Sequence, residues 1–217
     1  MSYLALVPAF IPKNEKEAVE MAQKLSFAAE LQIDLVDGRF APNTSWPIAP
    51  EGDPLAVKSY LDKYTLEIDL MVEQPIEKAK EWEQAGADML VFHVETITLE
   101  SLVDYTECSQ ASIGVSAHGD TSLEKLESYI QEVDYVQLMG IREIGFQGQV
   151  FDETVLDKIK YLRQKYPNLS IGVDGSVNPD TVVKIKEAGA DRFVCGSAIV
   201  RQSNPEQAYN NLLSLIK

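Results

Sequence analysis

Short apolar segments recur along the chain at regular intervals, and amphipathic segments lie between them. The apolar segments are rich in Val, Ile and Leu, and most lack polar alternation, which is typical of parallel strands covered on both faces. The pattern predicts eight strands: Leu4–Phe10, Leu31–Val36, Leu66–Val72, Met89–Val94, Ser112–Ala117, Tyr135–Met139, Ser170–Val173 and Arg192–Val194.

Helix start and stop signals fall between the predicted strands. Asn14 is a predicted N-cap for a helix that runs through Phe27, and Pro75 is the first residue of another helix. Asp180 is predicted to cap a helix that ends near Gly189. The chain therefore alternates strand and helix from one end to the other.

A short repeat supports this alternation. The sequence Ala85-Gly86-Ala87-Asp88 recurs as Ala188-Gly189-Ala190-Asp191, and each copy places a glycine between a predicted helix and the next strand. Eight units average about 27 residues each, which fits a closed barrel. No linker marks a second domain, and no Gly-x-Gly-x-x-Gly sequence follows the first strand, as a doubly wound sheet would favour. We predict an α/β fold, a (β/α)8 TIM barrel that forms a single domain over residues 1–217.

Composition excludes several classes of partner. Thirty-four acidic against 19 basic residues give a net charge of −15, which disfavours binding to nucleic acid or to anionic membranes. An acidic surface also repels phosphorylated metabolites, so a phosphate site must be made locally by backbone N–H groups. The two cysteines, Cys108 and Cys195, match no disulfide or metal-site spacing. We expect a cytoplasmic protein with no nucleic-acid or membrane partner.

Polar residues gather where the predicted strands end, which is where active sites of such barrels lie. Burying an unpaired carboxylate in an apolar strand is costly, so Asp34 and Asp69 need hydrogen-bond donors or a cation. They belong either to a functional site or to an internal hydrogen-bonded support of the fold. Asp37, which precedes Gly38, would equally shape a turn, and His93 alone would be a hydrogen-bonded core histidine. The set comprises Asp34, Asp37, Asp69, His93, His118 and Asp174.

Glycine-containing sequences follow the last three predicted strands. Loops after the seventh and eighth strands, together with the start of a short helix, commonly form the phosphate site of such barrels. No lysine falls on a predicted strand, so a Schiff-base aldolase would lack its nucleophile. The predicted phosphate-binding residues are Gly148, Gly175, Ser176, Gly196 and Ser197.

Six segments resemble the signature segments of ribulose-phosphate 3-epimerases, and they follow the family order along essentially the whole chain. The segments are Asp34-x-x-Asp37-Gly38-x-Phe40-x-Pro42-Asn43, Leu70-Met71-Val72-x-x-Pro75, Phe92-His93-Val94-Glu95, Gly145-Phe146-x-Gly148-Gln149-x-Phe151, Val173-Asp174-Gly175-x-Val177-Asn178-Pro179 and Gly196-Ser197-Ala198-Ile199.

The resemblance implies inversion at C3 of a 2-ketose phosphate, converting D-ribulose 5-phosphate into D-xylulose 5-phosphate. One aspartate removes the C3 proton, and a second reprotonates the opposite face of the enediolate. The resemblance assigns these roles to Asp34 and Asp174. It also implies a small phosphorylated sugar as partner and a homo-oligomer. The substrate pocket would include Met71, Met139, His93 and His118.

The chain departs from the family at the metal site. The family binds its metal with two histidines and the two aspartates, but Gln32 and Asp69 stand at the histidine positions. The candidate ligands are therefore Gln32, Asp34, Asp69 and Asp174. Oxygen ligands favour Mg²⁺ or Mn²⁺ over Zn²⁺, so we expect one of these ions or no metal at all.

Three functions are consistent with the sequence. The leading hypothesis is a sugar-phosphate epimerase that works through Asp34 and Asp174. The second is a catalytically silent or repurposed phosphosugar-binding barrel, because the metal site is altered. The third is a decarboxylase or retro-aldol enzyme, which is weakened because the Asp-x-Lys-x-x-Asp sequence of related decarboxylases is absent.

Overall fold

A computed structural model describes residues 4–217. Eight parallel strands close into a barrel in sequence order, and the last strand pairs with the first. The predicted (β/α)8 barrel is confirmed, and every predicted strand agrees with the observed one to within a single residue at each end. The strands are β1 Ala5–Phe10, β2 Glu30–Val36, β3 Thr65–Met71, β4 Met89–His93, β5 Ser112–Ala117, β6 Tyr135–Met139, β7 Ser170–Asp174 and β8 Arg192–Cys195.

Helices separate the strands and cover the outside of the barrel. None of the helices within residues 4–217 is long and apolar enough to cross a bilayer. The α-helices are α1 Glu15–Lys24, α2 Lys58–Leu61, α3 Pro75–Gln84, α4 Leu99–Thr106, α5 Leu123–Glu127, α6 Thr154–Lys165, α7 Val182–Ala188, α8 Ser197–Val200 and α9 Pro205–Ile216, with short 3-10 helices at Pro54–Val57 and Ile130–Glu132.

Two predicted helix ends need correction. Asn14 does cap α1, accepting the backbone N–H of Glu17 at 2.9 Å, but the helix ends at Lys24 and the chain then turns rather than continuing through Phe27. The N-cap of α7 is Thr181 instead of Asp180. The backbone N–H of Asp180 is held by the Asn178 side chain at 2.9 Å, so a turn includes Asp180 and the helix begins after it.

The inside of the barrel is more polar than the apolar strand pattern predicts. The outward residues of β2 and β3, among them Ile33 and Ile68, are fully buried against the helices. The inward residues are polar: Glu30, Gln32 and Asp34 alternate along β2, and Glu67 and Asp69 along β3. β2, β3 and β6 are the exceptions among the eight strands, because their polar residues alternate with apolar ones and face the barrel axis.

An ion-pair network fills the lower, amino-terminal end of the barrel interior. Arg192 on β8 reaches Glu30 and Glu67 at 2.7 Å each. Its guanidinium also lies 5.8 Å from the ring centroid of Tyr135 on β6. All four side chains are buried, so each charge depends on its partner rather than on water. The network supports the layer of residues directly beneath the candidate site.

Candidate active site at the carboxyl ends of the strands

Three aspartates from three strands meet at the upper end of the barrel interior. Asp34 and Asp69 are register partners on β2 and β3, and Asp174 is the last residue of β7. One carboxylate oxygen from each aspartate lies within 4.8 Å of those from the other two. Asp34 and Asp69 are buried, and Asp174 is half-buried. Strand periodicity brings them together because each occupies an inward position of its strand.

A single side-chain amide joins two of the three carboxylates. Gln32, fully buried two residues before Asp34, donates from Nε2 to Asp34 Oδ1 at 2.8 Å and to Asp174 Oδ2 at 2.9 Å. Its amide oxygen Oε1 is buried and has no hydrogen-bond partner among residues 4–217. Gln32 therefore fixes the relative position of Asp34 and Asp174.

The crowding of carboxylates changes their proton affinity. Burial raises the pKa of Asp34 well above its ordinary value, and the charges of Asp174 and Asp69 raise it further. Burial and the Asp69 charge raise the pKa of Asp174 to about 7, against the opposing hydrogen bond from Gln32. Because two close carboxylates do not both ionise readily, the Asp34–Asp174 pair holds a proton near neutral pH.

Asp69 is held differently from the other two aspartates. Its Oδ1 pairs with His93 Nε2 at 2.9 Å, and its Oδ2 accepts from Gln137 Nε2 at 3.0 Å. Burial lowers the pKa of His93, but the carboxylates of Asp69 and Glu95 raise it more, and the net pKa is above the ordinary value. Both carboxylate oxygens of Asp69 are therefore held by side chains other than Gln32, which sets Asp69 apart from the Asp34–Asp174 pair.

A cavity of about 210 Å³ opens above the aspartates. Its inner end is lined by Asp34, Asp174 and the two methionines that the resemblance implied. Its outer end brings together every residue predicted to bind phosphate. The predicted residues that line the cavity are Asp34, Met71, Met139, Gly148, Asp174, Gly175, Ser176, Gly196 and Ser197.

The two histidines do not line this cavity. His93 is fully buried beneath it and faces Asp69, as a hydrogen-bonded core histidine would. His118 is half-buried in the loop after β5, where its ring accepts the backbone N–H of Asp120 at 3.4 Å. Asp37 shapes the loop after β2, because its carboxylate accepts the backbone N–H groups of Arg39, Phe40 and Glu73.

Backbone geometry at the outer end of the cavity suits an anion. Gly148 and Gly175 have φ of 83° and 102°, which side-chain-bearing residues rarely adopt. A Cβ on Gly175 would lie 2.7 Å from Ile141 Cγ1. The first N–H groups of α8, which begins at Ser197, have no intrahelical acceptor and are available to a ligand.

Two glutamines at the site were missed by the sequence reasoning. Gln137 holds Asp69, and its inward position on β6, two residues before Met139, is a periodicity signal that could have found it. Gln147, in the loop after β6, donates to the Ala9 carbonyl at 3.1 Å. No local pattern predicts that contact, because it joins residues 138 positions apart.

The donor set fits a hard divalent cation. Asp34, Asp69 and Asp174 supply close carboxylate oxygens, and the unpartnered Gln32 Oε1 is a fourth oxygen nearby in the barrel interior. Gln32 presents its amide nitrogen to the carboxylates. It can become a metal ligand only if the amide group rotates by about 180°, so that Oε1 takes the place of Nε2. Carboxylate and amide oxygens suit Mg²⁺ and Mn²⁺ better than Zn²⁺.

Solved structures share this fold at low sequence identity. A structure of KGPDC from Streptococcus mutans superposes with a TM-score of 0.77 at 17% identity, covering 97% of this chain and 96% of that chain. A 3-hexulose-6-phosphate synthase structure gives a TM-score of 0.74 at 18% identity, covering 99% of this chain and 100% of that chain. At these identities the likeness concerns the fold alone.

Sequence comparison is more specific. The model of the ribulose-phosphate 3-epimerase family matches residues 5–200. The ribulose-phosphate 3-epimerase of Bacillus subtilis is 33% identical over 189 residues, covering 84% of each chain. That of Schizosaccharomyces pombe is 30% identical over 200 residues, covering 89% of this chain and 85% of the relative. The chain therefore belongs to the ribulose-phosphate 3-epimerase family.

Proposed function

We propose that this protein is a sugar-phosphate epimerase that interconverts D-ribulose 5-phosphate and D-xylulose 5-phosphate. The observation that carries the proposal is the Asp34–Asp174 pair, in which two carboxyl groups from β2 and β7 flank one cavity and share the Gln32 amide. Epimerisation by two groups needs one carboxylate to remove a proton and one carboxylic acid to return a proton to the opposite face.

The cavity suits this chemistry from end to end. The sugar phosphate would place its phosphate among Gly148, Gly175 and Ser197, with its C3 between Asp34 and Asp174. One aspartate takes the C3 proton, and the other delivers its own proton to the opposite face of the resulting enediolate. The pair therefore ends with its protonation states exchanged, and the next turnover either runs in reverse or follows proton exchange with solvent.

Gln32 and the methionines assist without exchanging protons. Because the Gln32 amide donates to both aspartates, it keeps both carboxyl groups in place while the proton changes sides. Met71 and Met139 pack with Val36 and Ile141 in an apolar cluster at the cavity wall. Such a wall limits the access of water to the reactive intermediate.

A hard divalent cation, when bound, would supply positive charge that stabilises the developing enediolate oxygens. Asp34, Asp69 and Asp174 would hold it, with the amide oxygen of Gln32 as a further ligand. His93 and Gln137 orient Asp69 from behind, as is usual for outer partners of metal-binding carboxylates.

Proton exchange tests the proposed reaction directly. The native protein, incubated with D-ribulose 5-phosphate in deuterated water, is expected to form D-xylulose 5-phosphate and to incorporate deuterium at C3. A phosphosugar-binding protein without activity would bind the sugar and exchange nothing. A retro-aldol enzyme would instead cleave the sugar between C3 and C4. A decarboxylase would leave D-ribulose 5-phosphate unchanged, because this sugar has no carboxyl group to lose.

Phosphate binding gives the first prediction. Inorganic phosphate at a concentration of about 100 times its Kd is expected to stabilise the native chain by about 2.7 kcal/mol, because only the folded state binds it. Thermal melting measures this shift. Gly196→Val should abolish the shift, since a side chain there overlaps Gln147 and enters the phosphate end of the cavity.

The matched control is Gly119→Val, where a Cβ has open space and meets only the Ile141 carbonyl at 3.7 Å. Gly119 does not line the cavity, so this variant should keep the full shift. An unmoved melting curve for the native chain at millimolar phosphate would contradict the predicted phosphate site.

Metal preference gives the second prediction. The native chain, purified without added metal, is expected to carry no stoichiometric zinc and to bind Mg²⁺ or Mn²⁺ weakly. The double variant Gln32→His, Asp69→His should shift the preference toward zinc, since imidazole nitrogen suits zinc better than oxygen does. Elemental analysis measures the metal content of each purified protein, and titration calorimetry measures its affinity for each ion. Tightly bound stoichiometric zinc in the native chain would refute the expectation.

A further inference from the structure

We propose that the Gln147 side chain closes the phosphate end of the cavity and thereby restricts the site to terminal phosphomonoesters. Without that side chain, the cavity would continue into a neighbouring groove that takes a second phosphoryl group. The inference rests on the phosphate site of the proposed function, and it concerns which phosphorylated compounds that site admits.

Gln147 is held at its amide end. It belongs to the loop between β6 and α6 and is half-buried, although the flanking Phe146 and Gly148 are exposed. Its Nε2 donates to the Ala9 carbonyl at the end of β1 at 3.1 Å. The side chain lies so close over Gly196 that a Cβ on Gly196 would overlap its amide. The hydrogen bond to Ala9 and the packing over Gly196 place the Gln147 amide across the end of the cavity.

The Gln147 side chain lies between two cavities. Gln147 lines the site cavity and also a groove of about 580 Å³ that lies beyond it, between the β1 end of the barrel and α1. The two spaces share only Ile11, Gly145 and Phe146 besides Gln147. Gly145 has no side chain and Phe146 is 43% exposed, so Gln147 is the polar side chain that separates them.

Two cationic side chains without partners in the described part of the chain line the groove. Lys13 and Arg201 both line it, and neither side chain makes an ion pair or hydrogen bond within residues 4–217. Glu17 also lines the groove, and its carboxylate accepts the Lys13 backbone N–H at 2.8 Å. In a chain with net charge −15, two unengaged cations in one groove locally favour an anion.

The geometry predicts how substrates are sorted. A phosphate bound at Gly196 and Ser197 ends against Gln147, so a monoester fits and a group attached to the phosphate is blocked. Removing the Gln147 side chain would let that group pass toward Lys13 and Arg201. In the native protein, specificity for monoesters would therefore come from the steric block by Gln147. Such a block is a common way to reject a compound related to the correct substrate.

The relative affinities for phosphate and pyrophosphate test this inference. We would measure the binding of inorganic phosphate and of pyrophosphate by titration calorimetry, in metal-free buffer, for the native chain, Gln147→Gly and Gln147→Met. The native chain is expected to bind phosphate and to bind pyrophosphate more weakly. Gln147→Gly should bind pyrophosphate about tenfold more tightly than the native chain does, while its affinity for phosphate changes less than about threefold.

The methionine variant is the matched control, because it keeps the bulk of the side chain and should keep the native preference. Adding Arg201→Gln to Gln147→Gly should weaken the gained pyrophosphate binding by about threefold or more. Equal binding of both anions by the native chain, an unchanged ratio in Gln147→Gly, or a methionine variant that behaves like the glycine variant would each overturn the inference. A native chain that binds no phosphate would refute the proposed phosphate site itself, and this inference with it.

Discussion

Replacing either Asp34 or Asp174 by asparagine is expected to lower the turnover of D-ribulose 5-phosphate by about 10²–10⁴-fold, the usual loss when a general acid or base is removed. Asparagine keeps the shape of the side chain and can still accept the Gln32 N–H. It cannot take up or release the C3 proton. Both variants should therefore fold and should bind phosphate with native affinity.

Steady-state kinetics and deuterium incorporation at C3 measure this loss. Asp120→Asn is a suitable control, because Asp120 is an exposed aspartate in the loop after β5 at the same end of the barrel. It does not line the cavity, so its variant should retain native turnover. Native turnover in either Asp34→Asn or Asp174→Asn would eliminate the assignment of that residue.

The same substitutions should stabilise the fold at alkaline pH. Burial and the Asp69 charge raise the pKa of folded Asp174 from an ordinary value of 3.8 to about 7. Between these values the folded state holds a proton that the unfolded state has lost, so stability falls as the pH rises through this window. The loss of folding stability caused by ionised Asp174 is complete above pH 7. It vanishes below pH 4, where the aspartate is protonated in both states.

Asp174→Asn removes that penalty, so its melting temperature should exceed the native value at pH 8 and approach it at pH 4. Each unit of pKa shift corresponds to about 1.4 kcal/mol, and a gain of roughly 1–3 kcal/mol is expected at pH 8. A variant that loses activity while gaining stability would show that the aspartate is retained for chemistry rather than for folding. A melting temperature below the native value at pH 8 would contradict the raised pKa.

Much of the fold was predictable because strand and helix signals are local. The eight apolar segments and the glycines between them require no knowledge of distant contacts. The location of Asp34 and Asp174 at one mouth followed from the barrel, since parallel strands end at the same face. Strand periodicity, added to the barrel fold, is enough to predict that Asp69 lies beside these two residues, and one carboxylate oxygen from each of the three does lie within 4.8 Å of those from the other two.

The roles of the amides were not predictable in the same way. Gln32 was expected to offer an oxygen to a metal, but its nitrogen bridges Asp34 and Asp174 instead. That orientation depends on a carboxylate 142 residues further along the chain. His93 was expected in the pocket, and its position beneath Asp69 depends on which face of β4 it occupies. Such contacts are set by packing between strands, which a local pattern does not encode.

The lower half of the barrel interior was overlooked for the same reason. Glu30, Glu67 and Arg192 are far apart in the sequence and no local pattern joins them, yet they form one buried network. Glu67 stands two residues before Asp69 on the inward face of β3, so the network lies directly below the aspartates. The layer of aspartates therefore rests on a charged layer beneath it.

Replacing Arg192 by methionine is expected to lower the free energy of unfolding by about 3–5 kcal/mol, since breaking a buried ion pair leaves a buried charge uncompensated. Glu67 is 1% exposed and would lose the guanidinium 2.7 Å away. Arg142→Met is the matched control, because Arg142 forms an ion pair with Asp152 while its side chain is 72% exposed. Exposed pairs contribute only about 0–1 kcal/mol.

Two further measurements separate charge from packing. Burial raises the pKa of Glu67 and Arg192 lowers it, so removing Arg192 should raise that pKa further. The deficit of Arg192→Met should then shrink as the pH falls toward 4.5, where Glu67 also becomes protonated in the unfolded chain. Adding Glu67→Gln to Arg192→Met should recover a large part of the lost stability, because the uncompensated charge is gone. If denaturant titrations show no recovery in the double variant, lost packing rather than unpaired charge explains the effect, and the network does not support the site electrostatically.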